Sequence, residues 1–151
     1  TLIITALLFF CLEVYGQANL DDRMALLEEI RNSVGDLQYE ALSINQNLLD
    51  FNNPANQEIG PQAHDIGDKL WDSINTVSIV SVLLDKDNPV AVVYALPQLR
   101  RQLRLRDTMT QEIDFWRSEN SNPAFESILR DMRRLNLEFK TITSEFINEL
   151  E

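Results

Sequence analysis

The sequence predicts an all-α fold, an antiparallel up-down-up-down four-helix bundle that follows a removable leader, and three observations carry that prediction. Apolar residues recur at alternating three- and four-residue spacing along most of the chain, the period of a helix with one buried face. Turns containing proline divide this pattern into four stretches of similar length. The chain also opens on an apolar run, Leu2 to Leu12, that stands apart from everything after it.

Residues 1–18, TLIITALLFFCLEVYGQA, read as a secretory signal peptide. Glu13 breaks the run after roughly a dozen residues, against the ~20 that a membrane-spanning helix needs. Val14 and Gly16 suit cleavage before Gln17, and Gly16 and Ala18 suit cleavage before Asn19. The chain starts on Thr1 with neither Met nor a basic segment, so the precursor is expected to begin upstream. The competing reading of these residues is a buried apolar first helix. Export places the protein outside the cell, and cleavage removes Cys11, the only cysteine. Residues 19–151 are then a single disulfide-free helical-bundle domain, long enough for one ordinary core. Asn32, Asn75 and Asn120 are each followed directly by Ser or Thr, the wrong spacing for N-glycosylation.

The first helix carries Leu20, Met24, Leu27, Ile30, Val34, Leu37, Ala41, Ile44, Leu48 and Phe51 on one face. Asn19 suits its N-cap, and Asp21 and Asp22 suit its first turn, where the helix dipole favours negative charge. Gly35 weakens it by about 1 kcal/mol relative to Ala. Residues 51–61, FNNPANQEIGP, hold two prolines, a glycine and three asparagines and are expected to be the longest loop. The second helix is expected to begin at Pro61 and to carry Ile66, Leu70, Ile74, Val77 and Leu84. From Thr76 to Leu84 it is apolar on all sides. Asp85 to Pro89 forms a turn, with Asn88 as cap and Pro89 as first residue of the third helix. That helix is again apolar all round from Val90 to Leu96; Pro97 should kink or restart it before Leu99, Leu103, Met109, Ile113 and Trp116 resume a stripe. Residues 79–96 admit one alternative, a β-hairpin, because both apolar runs are rich in β-branched residues. Asn122 and Pro123 repeat the cap arrangement, and Phe125, Ile128, Met132, Leu135, Phe139, Ile142, Phe146 and Leu150 mark the fourth helix.

No catalytic, cofactor-binding or metal site is expected. His64 is the only histidine and stands beside a loop, where a solvated or capping role is usual. A di-iron bundle needs Glu-x-x-His motifs that are absent here. Asp65, Asp68 and Asp72 share a helical face but not the tight glycine-centred loop of a calcium site. The four glycines, Gly16, Gly35, Gly60 and Gly67, build no phosphate cradle.

Charge is uneven. Residues 17–88 hold thirteen acids against four bases, whereas residues 89–151 hold ten against nine, within a chain of net charge −11. An antiparallel pairing of the last two helices about residues 119–122 sets side by side residues whose numbers sum to about 241. It gathers Arg100, Arg101, Arg104, Arg106, Arg133, Arg134 and Lys140, with Arg130 nearby, into a candidate basic patch for an anionic partner. Asp107, Asp131, Glu138 and the acidic helices stand ready to neutralise it. Nucleic acid is excluded by the net negative charge and the extracellular address. Arg101-Gln102-Leu103-Arg104 is similar to the Arg-x-Leu-Arg motif of some secreted plant-pathogen effectors, which follows the signal peptide directly; here it lies deep in a predicted helix, so the match implies no family.

These features point to a secreted, non-enzymatic binding protein that acts through its surface on another macromolecule. The alternative is an extracellular carrier of lipid or another small apolar ligand, whose helices open on a hinge as in the exchangeable apolipoproteins, a resemblance of architecture only. Trp71, Tyr94, Trp116 and Phe139 are the candidate lining for that ligand. Residues 77–96 carry more apolar surface than a bundle seam requires, which suits a centre covered by the long first and fourth helices, self-association or shallow lipid contact; each leg, about 12 Å as helix, is too short to span a bilayer.

Overall fold

The computed structural model describes residues 25–46, 54–84 and 89–151. The leader 1–18, the Asn19 cap, the turn 85–88, and Leu20, Met24, Leu48 and Phe51 of the first stripe lie outside these residues. Among the described residues the protein is all-helical, with four helices and no strand: α1, residues 25–46; α2, Pro54–Leu84; α3, Pro89–Glu119; and α4, Pro123–Leu150. The β-hairpin alternative is thereby replaced by helix at residues 79–84 and 89–96.

All four helices follow the expected stripes, with Ile66, Leu70, Ile74 and Val77 of α2 buried. Ile30, Val34, Leu37 and Ala41 of α1 are buried. So are Leu99, Met109 and Ile113 of α3, and Phe125, Met132, Leu135, Phe139, Phe146 and Leu150 of α4. A fully buried Leu or Phe contributes about 1.5–3 kcal/mol relative to exposure, so the α4 stripe supplies much of the driving force.

α2 departs from expectation at its start. It begins at Pro54, so most of the stretch expected as a loop over residues 51–61 is helical, and Pro61 lies inside the helix. Pro54 occupies the first turn, where its missing N–H is one of those a helix leaves unpaired. Pro61 sits on the exposed face, where water replaces the single backbone bond that it removes. Pro97 behaves alike. It is exposed, and α3 runs on through it from Pro89 to Glu119 without restarting.

The turn before α4 is built from side chains. Asn120 Oδ1 accepts the Asn122 N–H at 2.9 Å and its Nδ2 donates to the Asn122 carbonyl at 2.9 Å, while that carbonyl accepts the Glu126 N–H at 3.0 Å as the first bond of the helix. Arg117 donates from Nε to Glu126 Oε1 at 3.0 Å, and this guanidinium holds the Glu126 carboxyl below the usual carboxylate range. Away from this turn the partners step outward in opposite senses: Arg106 meets Asn136, and Arg100 meets Glu151. Lys69 of α2 meets Glu112 of α3 at 3.1 Å and Ser73 meets Arg106 at 2.6 Å, again in opposite senses. Gln38 of α1 meets Asn75 of α2 at 3.1 Å, and Arg134 of α4 reaches Glu40 of α1 at 2.7 Å. Since Glu151 already stands at Arg100, the first turns of α3 extend past the described end of α4.

Gly35 lies on the exposed face of α1, and a Cβ added there meets nothing within 4 Å. Gly35→Ala is expected to stabilise the protein by about 0.5–1 kcal/mol, through the lost backbone freedom of the unfolded chain. Urea unfolding followed by circular dichroism checks this; an unchanged or lowered midpoint contradicts it.

Candidate functional site

The middle of the molecule holds a charge where the apolar stripe calls for a hydrophobe. Arg106 is 0% exposed, one heptad from Leu99 and one from Ile113. Its Nε donates to the Gln102 carbonyl at 3.1 Å, one terminal nitrogen donates to Asn136 Oδ1 at 3.0 Å and the other to Ser73 Oγ at 2.6 Å. Asn136 Nδ2 in turn donates to the Arg106 carbonyl at 3.0 Å and to Thr110 Oγ1 at 2.9 Å. The guanidinium carbon lies 4.8 Å from the centre of the Phe139 ring, a cation–π contact. Among the described residues no carboxylate lies within ion-pair distance, and burial pushes the Arg106 pKa down to about 10. The charge is therefore held by neutral dipoles from α2, α3 and α4 together.

This placement removes Arg106 from the candidate basic patch, because the partners that hold it also close it off from solvent. The other members are mostly occupied. Arg133 Nε donates to Asp114 at 2.8 Å, Lys140 donates to Asp107 at 2.6 Å, and Arg100 pairs with Glu151. Arg134 bridges Glu40 at 2.7 Å and Glu138 at 3.0 Å, and these carboxylates, Glu40 first, hold its pKa above the ordinary arginine value. Of the seven residues only Arg101 and Arg104 are exposed with no acid at ion-pair distance among the described residues. Four of the seven expected residues thus take part in ion pairs, three of them between helices alone and Arg134 also within α4.

The candidate apolar lining is not gathered in one place either. Phe139 is 0% exposed beneath Arg106, Tyr94 is 74% exposed, and Trp71 and Trp116 are half-buried. Tyr94 and Trp116 stand ~33 Å apart along one helix. Trp116 instead packs edge-to-face on Phe115, ring centres 5.2 Å apart. His64 Nδ1 lies 3.0 Å from Asp68, and Lys69 pairs with Asp65 at 2.5 Å, so the acidic face of α2 is a solvated, partly paired surface. Among the described residues no group of three or more His, Cys, Asp or Glu is placed to hold a metal ion, and no helix is long and apolar enough to cross a membrane.

Two surfaces around α2 and α3 stand out among the described residues. One is the end of the molecule where α2 finishes and α3 starts, the apolar stretch singled out in the sequence. Ile79, Val82 and Leu83 of α2 and Val90, Val93 and Tyr94 of α3 are all more than half exposed there. The second is a groove of about 380 Å³ between α2 and α3, lined among others by Asp72, Thr76, Gln102 and Leu105, with Arg106 at its floor. Sequence reasoning missed both the groove and the buried network beneath it. The available signal was the six-residue gap in the α3 stripe between Leu103 and Met109, whose missing core position is Arg106. No family model matches the chain, and no curated protein or solved structure matches it either.

Asn136→Leu removes an acceptor from a buried cation and is expected to cost about 2–4 kcal/mol, whereas Lys140→Ala, which breaks an exposed ion pair with Asp107, costs under about 1 kcal/mol. Equilibrium denaturation of both variants checks this ordering, and equal costs contradict it.

Proposed function

We propose that this chain is a secreted, non-enzymatic binding protein, an up-down-up-down four-helix bundle that acts on another macromolecule through the apolar end of α2 and α3. The observation that carries the reading is the cluster of six large apolar side chains, Ile79, Val82, Leu83, Val90, Val93 and Tyr94, exposed together at that end. Scattered apolar residues on a surface need no explanation, but a contiguous group of this size marks a contact site. By their residual exposure they present roughly 600 Å² per molecule, close to the ~800 Å² per partner of a standard interface. The interhelical pairings support the topology: with Asn45 near Asp68 as well as Gln38 at Asn75, α1 meets α2 in the opposite sense, as α2 meets α3 and α3 meets α4. Export rests on the leader at residues 1–18.

The arrangement favours surface contact over ligand carriage. Phe139 is sealed in the core, and Trp71, Tyr94 and Trp116 are dispersed along the helices, so these residues give a small apolar ligand no shared cavity. An anionic partner gains less from a basic cluster in which Arg100, Arg133, Arg134 and Lys140 are already paired with acids and Arg106 is buried.

A photoreactive side chain placed at Val93 tests the assignment in medium conditioned by cells that express the protein, with the same group at Glu119, the far end of α3, as control. One defined macromolecular adduct from Val93 and none from Glu119 is the expected result. No adduct from Val93, or the same adducts from both positions, overturns the reading.

A further inference from the structure

The groove and the apolar end form one continuous strip on the outer face of α2 and α3. On α2, Lys69, Asp72 and Thr76 line the groove, and the same helical spacing continues to Ile79 and Leu83. On α3, Glu112, Thr108 and Leu105 line it, and the spacing continues through Arg101 and Gln98 to Tyr94. The strip therefore runs from a polar end, where Lys69 is shared between Asp65 and Glu112, to an apolar end at Leu83 and Tyr94. From Lys69 to Leu83 it measures ~21 Å, about four turns of helix.

Two observations say what it takes. Asp72 is exposed at the polar end with no cation at ion-pair distance among the described residues, and Lys69 is outnumbered there by Asp65, Asp72 and Glu112, within a chain of net charge −11. Along the rest of the strip Leu105, Ile79, Leu83 and Tyr94 are exposed apolar side chains. We infer that the strip binds an amphipathic helix of a partner protein that carries Lys or Arg at one end and apolar residues along one face. The apolar face covers Leu105, Ile79, Leu83 and Tyr94, and the basic end meets Asp72 and Glu112. Arg101, exposed beside Ile79, repels that basic end and sets the direction in which the helix lies. This is helix-in-groove recognition, in which apolar anchors supply affinity and terminal charge supplies orientation. The inference rests on the surface-binding reading above and adds the chemistry of the partner.

The test uses three synthetic helical peptides of fourteen residues, each with leucines at i, i+3, i+4 and i+7: one with lysines at one end, one with glutamates in their place, and one with its leucines scrambled. Fluorescence anisotropy against the purified full chain is expected to show micromolar binding of the lysine peptide and at least tenfold weaker binding of the other two. Asp72→Lys, at an exposed position, is expected to weaken the lysine peptide at least tenfold and to improve the glutamate peptide. Leu83→Ser with Tyr94→Ser, both exposed, abolishes binding while helical content by circular dichroism stays the same. Absence of binding, equal binding of the lysine and glutamate peptides, indifference to Asp72→Lys, or displacement of the peptide by phosphatidylcholine vesicles overturns the inference. A macromolecular adduct at Val93 that persists beside such a failure leaves the surface-binding reading standing and removes only the basic helix.

Discussion

A guanidinium buried at Arg106, with no carboxylate at ion-pair distance among the described residues, is the constraint around which the molecule is arranged. Taking a cation out of water costs several kcal/mol even after relaxation, so each of its donors must meet a well-placed acceptor. No single helix supplies enough of them. Ser73 comes from α2, the Gln102 carbonyl from α3 itself and Asn136 from α4, and the Phe139 face adds a cation–π contact. An apolar seam of Leu, Ile and Phe tolerates sliding by a turn with modest loss, whereas this network is satisfied in one axial register only. We therefore regard Arg106 as the register pin of a core that the apolar stripes drive together.

That register has a consequence at the surface. With Asn136 opposite Arg106, Arg100 stands at Glu151, and the first turns of α3 lie beyond that pairing, beside the end of α2. Ala95 and Leu99 are covered there, but Val90, Val93 and Tyr94 are not. The same register aligns the bases of α4 with acids: Arg133 with Asp114, Lys140 with Asp107, and Arg134 with Glu40 across on α1. Basic side chains are thus consumed in holding helices together, while excess negative charge stays at the surface.

Much of the fold was legible in the sequence because helical periodicity is strong where the chain is most regular. The α4 stripe from Phe125 to Leu150, the Asn-Pro start of α4 and the start of α3 at Pro89 are in place. The start of α2 was illegible because proline and glycine composition argues for a loop, and only the exposed side on which Pro61 falls makes helix tolerable there. Arg106 was misplaced for a related reason. A charged residue is assigned to solvent by type, and only its position, one heptad from both Leu99 and Ile113, betrays that it points inward. The surplus of apolar residues around 77–96 was visible; which of them lie bare was not, since that depends on how α2 and α3 turn against the rest of the bundle. The groove combines residues from two helices and has no sequence signature at all.

Native-state hydrogen exchange tests the central claim most directly, since it reports the free energy at which each segment opens. If the Arg106 network locks three helices into one register, the slowest amides cluster around Ser73, Arg106 and Asn136 and exchange with a common free energy equal to that of global unfolding. If α2 opens around Ser73 at a distinctly lower free energy while α3 and α4 stay closed, the network is not what binds the helices together, and the account is contradicted.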